Sequence, residues 1–562
     1  MTAMLANLKK TKLAFAVLAA ATTVVTAPIA SASERSELTV VPKFFPTFVR
    51  NFNPYLQTQL DTVQDFIYEP LVVFNELKGN EPVLRLAESY KMSDDLKQVS
   101  FVIRDGVKWS DGEAFTAEDV AFTFNMLKKH PELDRTGINA RLDKITASGN
   151  TVTFDLTEAN SNLPYLINKV SIVAEHVWSK VEDPSRFTNE NPVGTGPFTE
   201  IETFTPQLYT QCRNPNYWDA DNLDVDCLRL PQVAGNEQFL GQVLSGQFDW
   251  SYSFIPDVDS TYAAASPDNK YWYPAGGSQA FVFNYKSPEA GNSEAINNID
   301  FRRAFSMAID RETIIEIAFY GGGVVNDYAS GLGAAFASWS DDEVYNKYKP
   351  FMTYNVDNAK ALLKEAGFVD TNGDGFVETP TGKKLELAIQ SPNGWTDFNN
   401  TVQLSVEMLE EVGIKAKAAT PDFSVYNQAM LDATYDVAYT NYFHGADPYT
   451  YWDSAYHSRF QANQGMPRFA LHYWNDKELD KALDGFYQTA DRDEQVKIAH
   501  TIQGIIAENQ VTVPVMSGAY TSQYNTSRFT GWWNEENPQG RPMPITNTQE
   551  RLLQVLDLKP KS

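Results

Sequence analysis

The eleven residues from Tyr442 to Trp452 read YFHGADPYTYW and hold five aromatic rings, one histidine and one carboxylate. A second stretch, SPNGWTDFNN from Ser391 to Asn400, sets Trp395 two residues ahead of Asp397. Rings with sparse polar groups suit a sugar. Pyranose faces carry C–H groups that pack on aromatic faces, and the hydroxyls need donors and acceptors at the ring edge. Trp395 offers a stacking face, and Asp397 can accept hydrogen bonds from hydroxyls. Asn441, Phe443 and His444 in the first stretch are candidates for the same site. Each has a structural alternative: a ring can be core, Asp397 can cap a helix beginning near Phe398, and His444 can order its loop. Asn236 precedes the helical pattern EQFLGQVLSG and either caps it or joins the site. Trp532 and Trp533, beside polar NEEN, are further candidates, Trp533 above all.

Other chemistries find less support. DTNGDGFVET places Asp370, Asn372 and Asp374 like the start of a calcium loop, but the twelfth position is Thr381 rather than glutamate. A hairpin turn held by Asx hydrogen bonds is the expected reading, so no metal and no cofactor is expected. There is no H-E-x-x-H, G-x-S-x-G or P-loop pattern, and the six histidines lack metal-ligand spacing. Paired carboxylates beside sugar platforms also occur in glycosidases, so an exported glycosidase stays as a third reading.

These stretches lie on α/β elements. The strand-like LELAIQS precedes SPNGW, and the amphipathic TVQLSVEMLEEVG follows it, which puts Trp395 at the mouth of an α/β layer. Asn355 caps AKALLKEAG, with Gly367 as the stop. IKAKAAT and VTVPVM read as strands and EQVKIAHTIQGIIAEN as a helix. This recurrence predicts α/β layers with a mainly parallel sheet. The first half is richer in short strands such as KQVSFVIR and NTVTFDL. No low-complexity linker separates the halves, so ordered crossings must join them.

Residues 1–32 read as a secretory signal peptide: Lys9, Lys10 and Lys12, an apolar run, then Ala30-Ser31-Ala32. Its removal takes away three lysines and no acids, moving the formal charge from −26 to about −29. So acidic a chain is not built for nucleic acid, whose affinity comes largely from Lys and Arg on phosphates. Cys212 and Cys227 are the only cysteines. In an oxidising compartment they are expected to pair as a disulfide, with two reduced buried thiols as the alternative.

FVIRDGVKWSDGEAFTAEDVAFTFNML, Phe101 to Leu127, combines a strand, a tight Ser110-Asp111-Gly112 turn and Thr116 as an N-cap, with Trp109 and Phe115 expected in the core. It resembles the signature of the family 5 solute-binding proteins of ABC importers. VGTGPF (Val193–Phe198), RNPNYW (Arg213–Trp218) and FRRAFSMAIDR (Phe301–Arg311) match further family segments in the same order. The resemblance implies a periplasmic, cofactor-free and monomeric three-domain binding protein (type II, cluster C-like) whose two lobes close on a ligand and which serves a membrane permease. It implies a first lobe made of 33–75, 191–300 and 515–562, a small second domain at 76–190, and a second lobe at 301–514. In peptide-binding members an Asp four residues before the loop proline pairs with the ligand's amino group. Counting back from Pro448 gives His444, which cannot replace that charge, although a one-residue shift of the loop would bring Asp447 into reach. NGWTDF, NYFHGADPY and RFTGWWNEENP look like the chitooligosaccharide-binding proteins of marine bacteria. That resemblance carries ligand contact to Trp395, Asp397, Phe443 and Asn441. A further stacking tryptophan of that group has no counterpart in Met543-Pro544-Ile545-Thr546. A β-linked oligosaccharide (chitooligosaccharide first, cello- or laminari-oligosaccharide next) is therefore the expected ligand, with an oligopeptide as the alternative.

Overall fold

The computed structural model describes residues 35–442, 444–461, 470–519 and 521–561. The signal peptide read over 1–32 lies outside them. Among the described residues no helix is long and apolar enough to cross a membrane.

Three sheets organise the chain. The first has seven strands in the order Asn269–Tyr271, Gln523–Asn525, Trp250–Ser251, Glu37–Val41, Cys227–Pro231, Leu208–Arg213 and Phe198–Thr205. The second has six, in the order Val324–Val325, Thr512–Ala519, Ala275–Phe283, Val437–Tyr442, Leu387–Gln390 and Ala416–Ala419. The third is a four-stranded meander of Ala87–Met92, Gln98–Ile103, Thr151–Leu156 and Leu142–Ser148. A mainly parallel sheet is not what forms. Glu37–Val41 pairs in parallel with both neighbours, as does Leu387–Gln390, and every other pairing within the three sheets is antiparallel. The α-turn-β recurrence predicts parallel neighbours only where consecutive strands meet. Here Ala275–Phe283 and Thr512–Ala519, far apart in sequence, fill the middle of the six-stranded sheet.

Gln98–Ile103 and Thr151–Leu156 bury alternate residues, as a sheet with one covered face requires. The cover is the helix Ala117–Lys129, started by a Thr116–Asp119 capping box, with Phe124 edge-on to Phe154 at 4.8 Å. Trp109 and Phe115 are core, in contact at 5.4 Å. Gly194 and Gly196 in VGTGPF are dictated by close approach, since a Cβ there would lie 2.1 and 2.5 Å from the carbonyl oxygens of Ile67 and Phe66. Arg311, the last residue of FRRAFSMAIDR, is buried among carbonyls of Ser306, Ile309, Met352 and Pro514 and so ties three segments together.

The chain passes from the seven- to the six-stranded sheet between Tyr271 and Ala275 and returns between Ala519 and Gln523. The crossings are bonded to each other, Trp272 N donating to Ser522 O at 3.0 Å. The strand Ala275–Phe283 and the helix Ala290–Asn297 stand between the first crossing and FRRAFSMAIDR; the part of the chain built on the six-stranded sheet is termed the second body. Cys212 and Cys227 are directly opposed on antiparallel strands and form a disulfide.

Candidate functional site

The parallel strands Leu387–Gln390, Ala416–Ala419 and Val437–Tyr442 deliver three loops to one edge of the six-stranded sheet, their carboxyl ends. Ligands of α/β sheets commonly sit at that edge. The first loop is Ser391–Trp395. Ser391 N donates to Ala419 O at 3.0 Å and Asn393 N to Pro421 O at 2.8 Å, which splices it to the second loop. Asn399 Nδ2 holds it from the helix side through Ser391 Oγ at 2.7 Å and Pro392 O at 2.9 Å.

Trp395 is half-buried on this frame. Its indole stacks on Phe423 of the second loop, centroids 5.7 Å apart and planes 17° apart, and meets Phe398 edge-on at 5.2 Å. Phe423, 46% exposed, was missed in the sequence reading. The available signal was its place just after IKAKAAT, at the same sheet edge as Trp395. The helix Thr396–Glu411 starts two residues ahead of the expected Phe398, with Trp395 as an N-cap that supplies no side-chain bond. Asp397 therefore sits inside the first turn rather than capping it.

The Asp397 carboxyl is buried and faces the other body. Asn236 Nδ2 donates to Asp397 Oδ1 at 3.2 Å and to Thr396 Oγ1 at 3.1 Å, and Ser253 Oγ donates to Asn236 Oδ1 at 3.2 Å. The backbones also meet, Asn236 N donating to Gly394 O at 3.2 Å. Asn236 does not cap its helix. The N-cap is Gly235, where a Cβ would lie 3.4 Å from Gly394 O. Burial pushes the Asp397 carboxyl up to about 6, against the opposing pull of the backbone N–H groups of Asp397 and Phe398 and of the Asn236 amide. Among the described residues no lysine or arginine offsets that burial.

The other sequence candidates spread out. Asn441 is half-buried on the central strand Val437–Tyr442, opposite Gln279 and on the sheet face of Tyr439, which meets Phe398 at 4.9 Å. Phe443 lies outside the described residues. His444 is buried between Phe336 and Tyr451, centroids 5.0 and 4.9 Å away and planes 15° and 6° apart. Burial pushes its imidazole down to about 3, so it is neutral at physiological pH. Asp447, the carboxylate a shifted peptide-type loop would use, is engaged: it accepts from Tyr487 Oη at 2.6 Å and Tyr449 N at 2.9 Å. Trp533 is 2% exposed, and its indole N–H donates to Asp557 at 2.7 Å, so it packs against the C-terminal helix instead of lining this cluster. Trp532 is core as well, stacked on Tyr524. NEEN forms an exposed turn closed by the Asn534–Asn537 bridge. Asp370 accepts from the backbone of Gly373 at 2.6 Å and Gly375 at 2.9 Å, while Asn372 and Asp374 accept from Asp374 N and Phe376 N, which is the Asx-bonded hairpin.

This arrangement brings an aromatic wall, neutral polar groups and one carboxyl together at one edge of the six-stranded sheet. Residues 81–463 match the family described as bacterial extracellular solute-binding proteins, family 5 middle. A probable peptide-binding protein YejA of Agrobacterium fabrum is 24% identical over 537 residues, covering 86% of this chain and 83% of its own. A mannohexaose-bound periplasmic oligopeptide-binding protein from Thermotoga maritima superposes with a TM-score of 0.86 at 23% identity, over 94% of this chain and 99% of that one. The oligopeptide-binding protein AppA from Bacillus subtilis, in complex with a nonapeptide, does so with a TM-score of 0.76 at 21% identity, over 94% of this chain and 100% of that one. The fold is thus shared across ligands of different chemistry. On the family match and the three-sheet fold together, this chain belongs to the family 5 extracellular solute-binding proteins, the periplasmic ligand-capturing components of ABC importers.

Proposed function

We propose that this solute-binding protein captures a β-linked oligosaccharide, with chitooligosaccharides ahead of cello- and laminari-oligosaccharides, and passes it to a membrane permease. The observation that carries this reading is the half-buried indole of Trp395, backed by Phe423 and set beside Asp397, Asn236, Thr396 and Ser253. Aromatic faces suit the C–H face of a pyranose, and amide, hydroxyl and carboxyl groups suit its edge. His444, buried and neutral, offers no charge for a peptide's ammonium group. The mannohexaose-bound neighbour supports the reading by showing that the fold accommodates an oligosaccharide. Asn441 joins the site by its place near the end of the strand Val437–Tyr442, and Phe443 by the family resemblance alone. No bond chemistry is part of this function.

A second reading rests on a specific observation. The Asp397 carboxyl has no cation beside it among the described residues, and a peptide's amino group could supply one. The relatives named as peptide-binding favour it too. A thermal-shift screen of chito-, cello- and laminari-oligosaccharides against short peptides separates the two, because a bound ligand stabilises by mass action, about 2.7 kcal/mol at a hundredfold excess over Kd. Stabilisation by sugars alone supports the first reading, and stabilisation by peptides alone supports the second.

A further inference from the structure

A cavity of about 210 Å³ lies between the end of the four-stranded meander and Arg459, Asp484 and Gln488 of the second body. It has room for several waters at roughly 30 Å³ each, or for a small organic acid. Its polar lining is Arg141, Glu158, Asn160, Arg459, Asp484 and Gln488. Beside it the bodies are bonded: Ser161 N donates to Tyr487 O at 2.7 Å and Ser161 Oγ to Thr489 O at 2.9 Å.

The hydrogen-bonding capacity left over in this chamber is on the donor side. Asp484 Oδ1 faces His457 Nε2 at 3.2 Å, and Glu158 Oε2 accepts from Gln488 Nε2 at 3.3 Å. The Asp484 side chain is 51% exposed and Glu158 is exposed, so both acids stand at the mouth, screened by solvent. Arg459 is deeper, its side chain 19% exposed. Its Nη2 pairs with Asp453, while its Nη1 is buried without a hydrogen-bond partner, 3.6 Å from Asp484 Oδ1. Arg141, on the opposite wall, is half-buried; its charge helps hold the Asp484 carboxyl down, after His457 and Arg459, but among the described residues no hydrogen bond or ion pair engages its guanidinium. A guanidinium with hydrogen-bond donors to spare is a planar fork matched to a carboxylate.

We infer that this chamber is a binding site for a small carboxylate, held by the Arg141 guanidinium and Nη1 of Arg459, and that its occupancy ties the meander to the second body. It is separate from the Trp395 cluster and independent of which solute that cluster takes. The carboxylate could be a free organic acid or an acidic group carried by the transported solute.

The test uses the full mature protein and its Arg141→Gln variant. Malonate and acetate are titrated against sodium chloride of equal ionic strength, followed by melting temperature and by calorimetry. Because Arg141 acts on Asp484 and Tyr449 only at a distance, with no hydrogen bond or ion pair to either, the variant should melt close to the wild type without additive. The inference expects a saturable rise in melting temperature in the wild type, with at least tenfold weaker carboxylate binding in Arg141→Gln. Absence of a saturable rise, or the same rise in both proteins, overturns it, the latter being general salt stabilisation. Titrating the best neutral solute in saturating malonate separates the sources. Equal or tighter solute binding means a free acid occupies its own site. If only carboxylate-bearing solutes lose affinity in Arg141→Gln, the acid arrives on the solute. Competition between malonate and a neutral solute would place the carboxylate in the main cleft and overturn the assignment.

Discussion

Asp397→Asn should make the unliganded protein more stable at neutral pH while weakening its grip on a sugar. The carboxyl ordinarily titrates near 3.8, and burial lifts it to about 6 in the fold. Below about pH 4 the native and unfolded chains both hold the proton. Between about 4 and 6 only the native state keeps it, so stability falls as pH rises through that window, and above 6 the loss is complete. A shift of roughly two units corresponds to about 3 kcal/mol of native-state destabilisation at pH 7.5. Asparagine removes the buried charge, keeps the shape, and leaves an oxygen to accept the Asn236 amide now 3.2 Å from Asp397 Oδ1. The assay is urea or thermal unfolding of both proteins at pH 4 and pH 7.5. The variant should be more stable at pH 7.5, by up to about 3 kcal/mol, and the gap should close at pH 4. In parallel, a hydroxyl acceptor that loses its charge should cost about tenfold in sugar affinity. A variant less stable than the wild type at pH 7.5 would refute the reasoning, because it would make the carboxylate a net stabiliser of its helix N-terminus.

Trp395→Ala should weaken sugar binding by roughly 2–3 kcal/mol, about 30- to 150-fold in Kd, as calorimetry would read it. Trp395→Phe should recover part of this, whereas unchanged affinity with a large fall in melting temperature would make the ring purely core. Replacing both Cys212 and Cys227 by serine should destabilise the protein by about 3 kcal/mol, measured by chemical denaturation. A chelator should leave the melting temperature unchanged, because the Asp370 carboxylate is already bonded to its own loop. A drop reversed by calcium would overturn that reading.

Local signals in the sequence carried well where one segment determines its own structure. Asn355 caps Val356–Glu365, Thr116 starts its helix, and all of VTVPVM but Val511 lies inside Thr512–Ala519. The Asx-bonded turn at Asp370 and the Cys212–Cys227 pair are local in the same sense. What the sequence does not display is pairing across distance. Asn236 and Asp397 are 161 residues apart, and no pattern near either one announces the other. The same holds for the strands that make the sheets mainly antiparallel. Trp395 and Trp533 both look like platforms beside polar residues, yet one stays half-buried at a sheet edge and the other vanishes behind Asp557. Their composition is alike, and only the packing of the C-terminal helix separates them.

The oligosaccharide assignment meets its most direct test in a calorimetric titration of the mature protein. Chitobiose and longer chitooligosaccharides would be run beside di- to pentapeptides. The account predicts saturable, one-to-one sugar binding that is lost in part by Trp395→Ala, and no heat from the peptides. Tight peptide binding with no response to any β-linked oligosaccharide would contradict it.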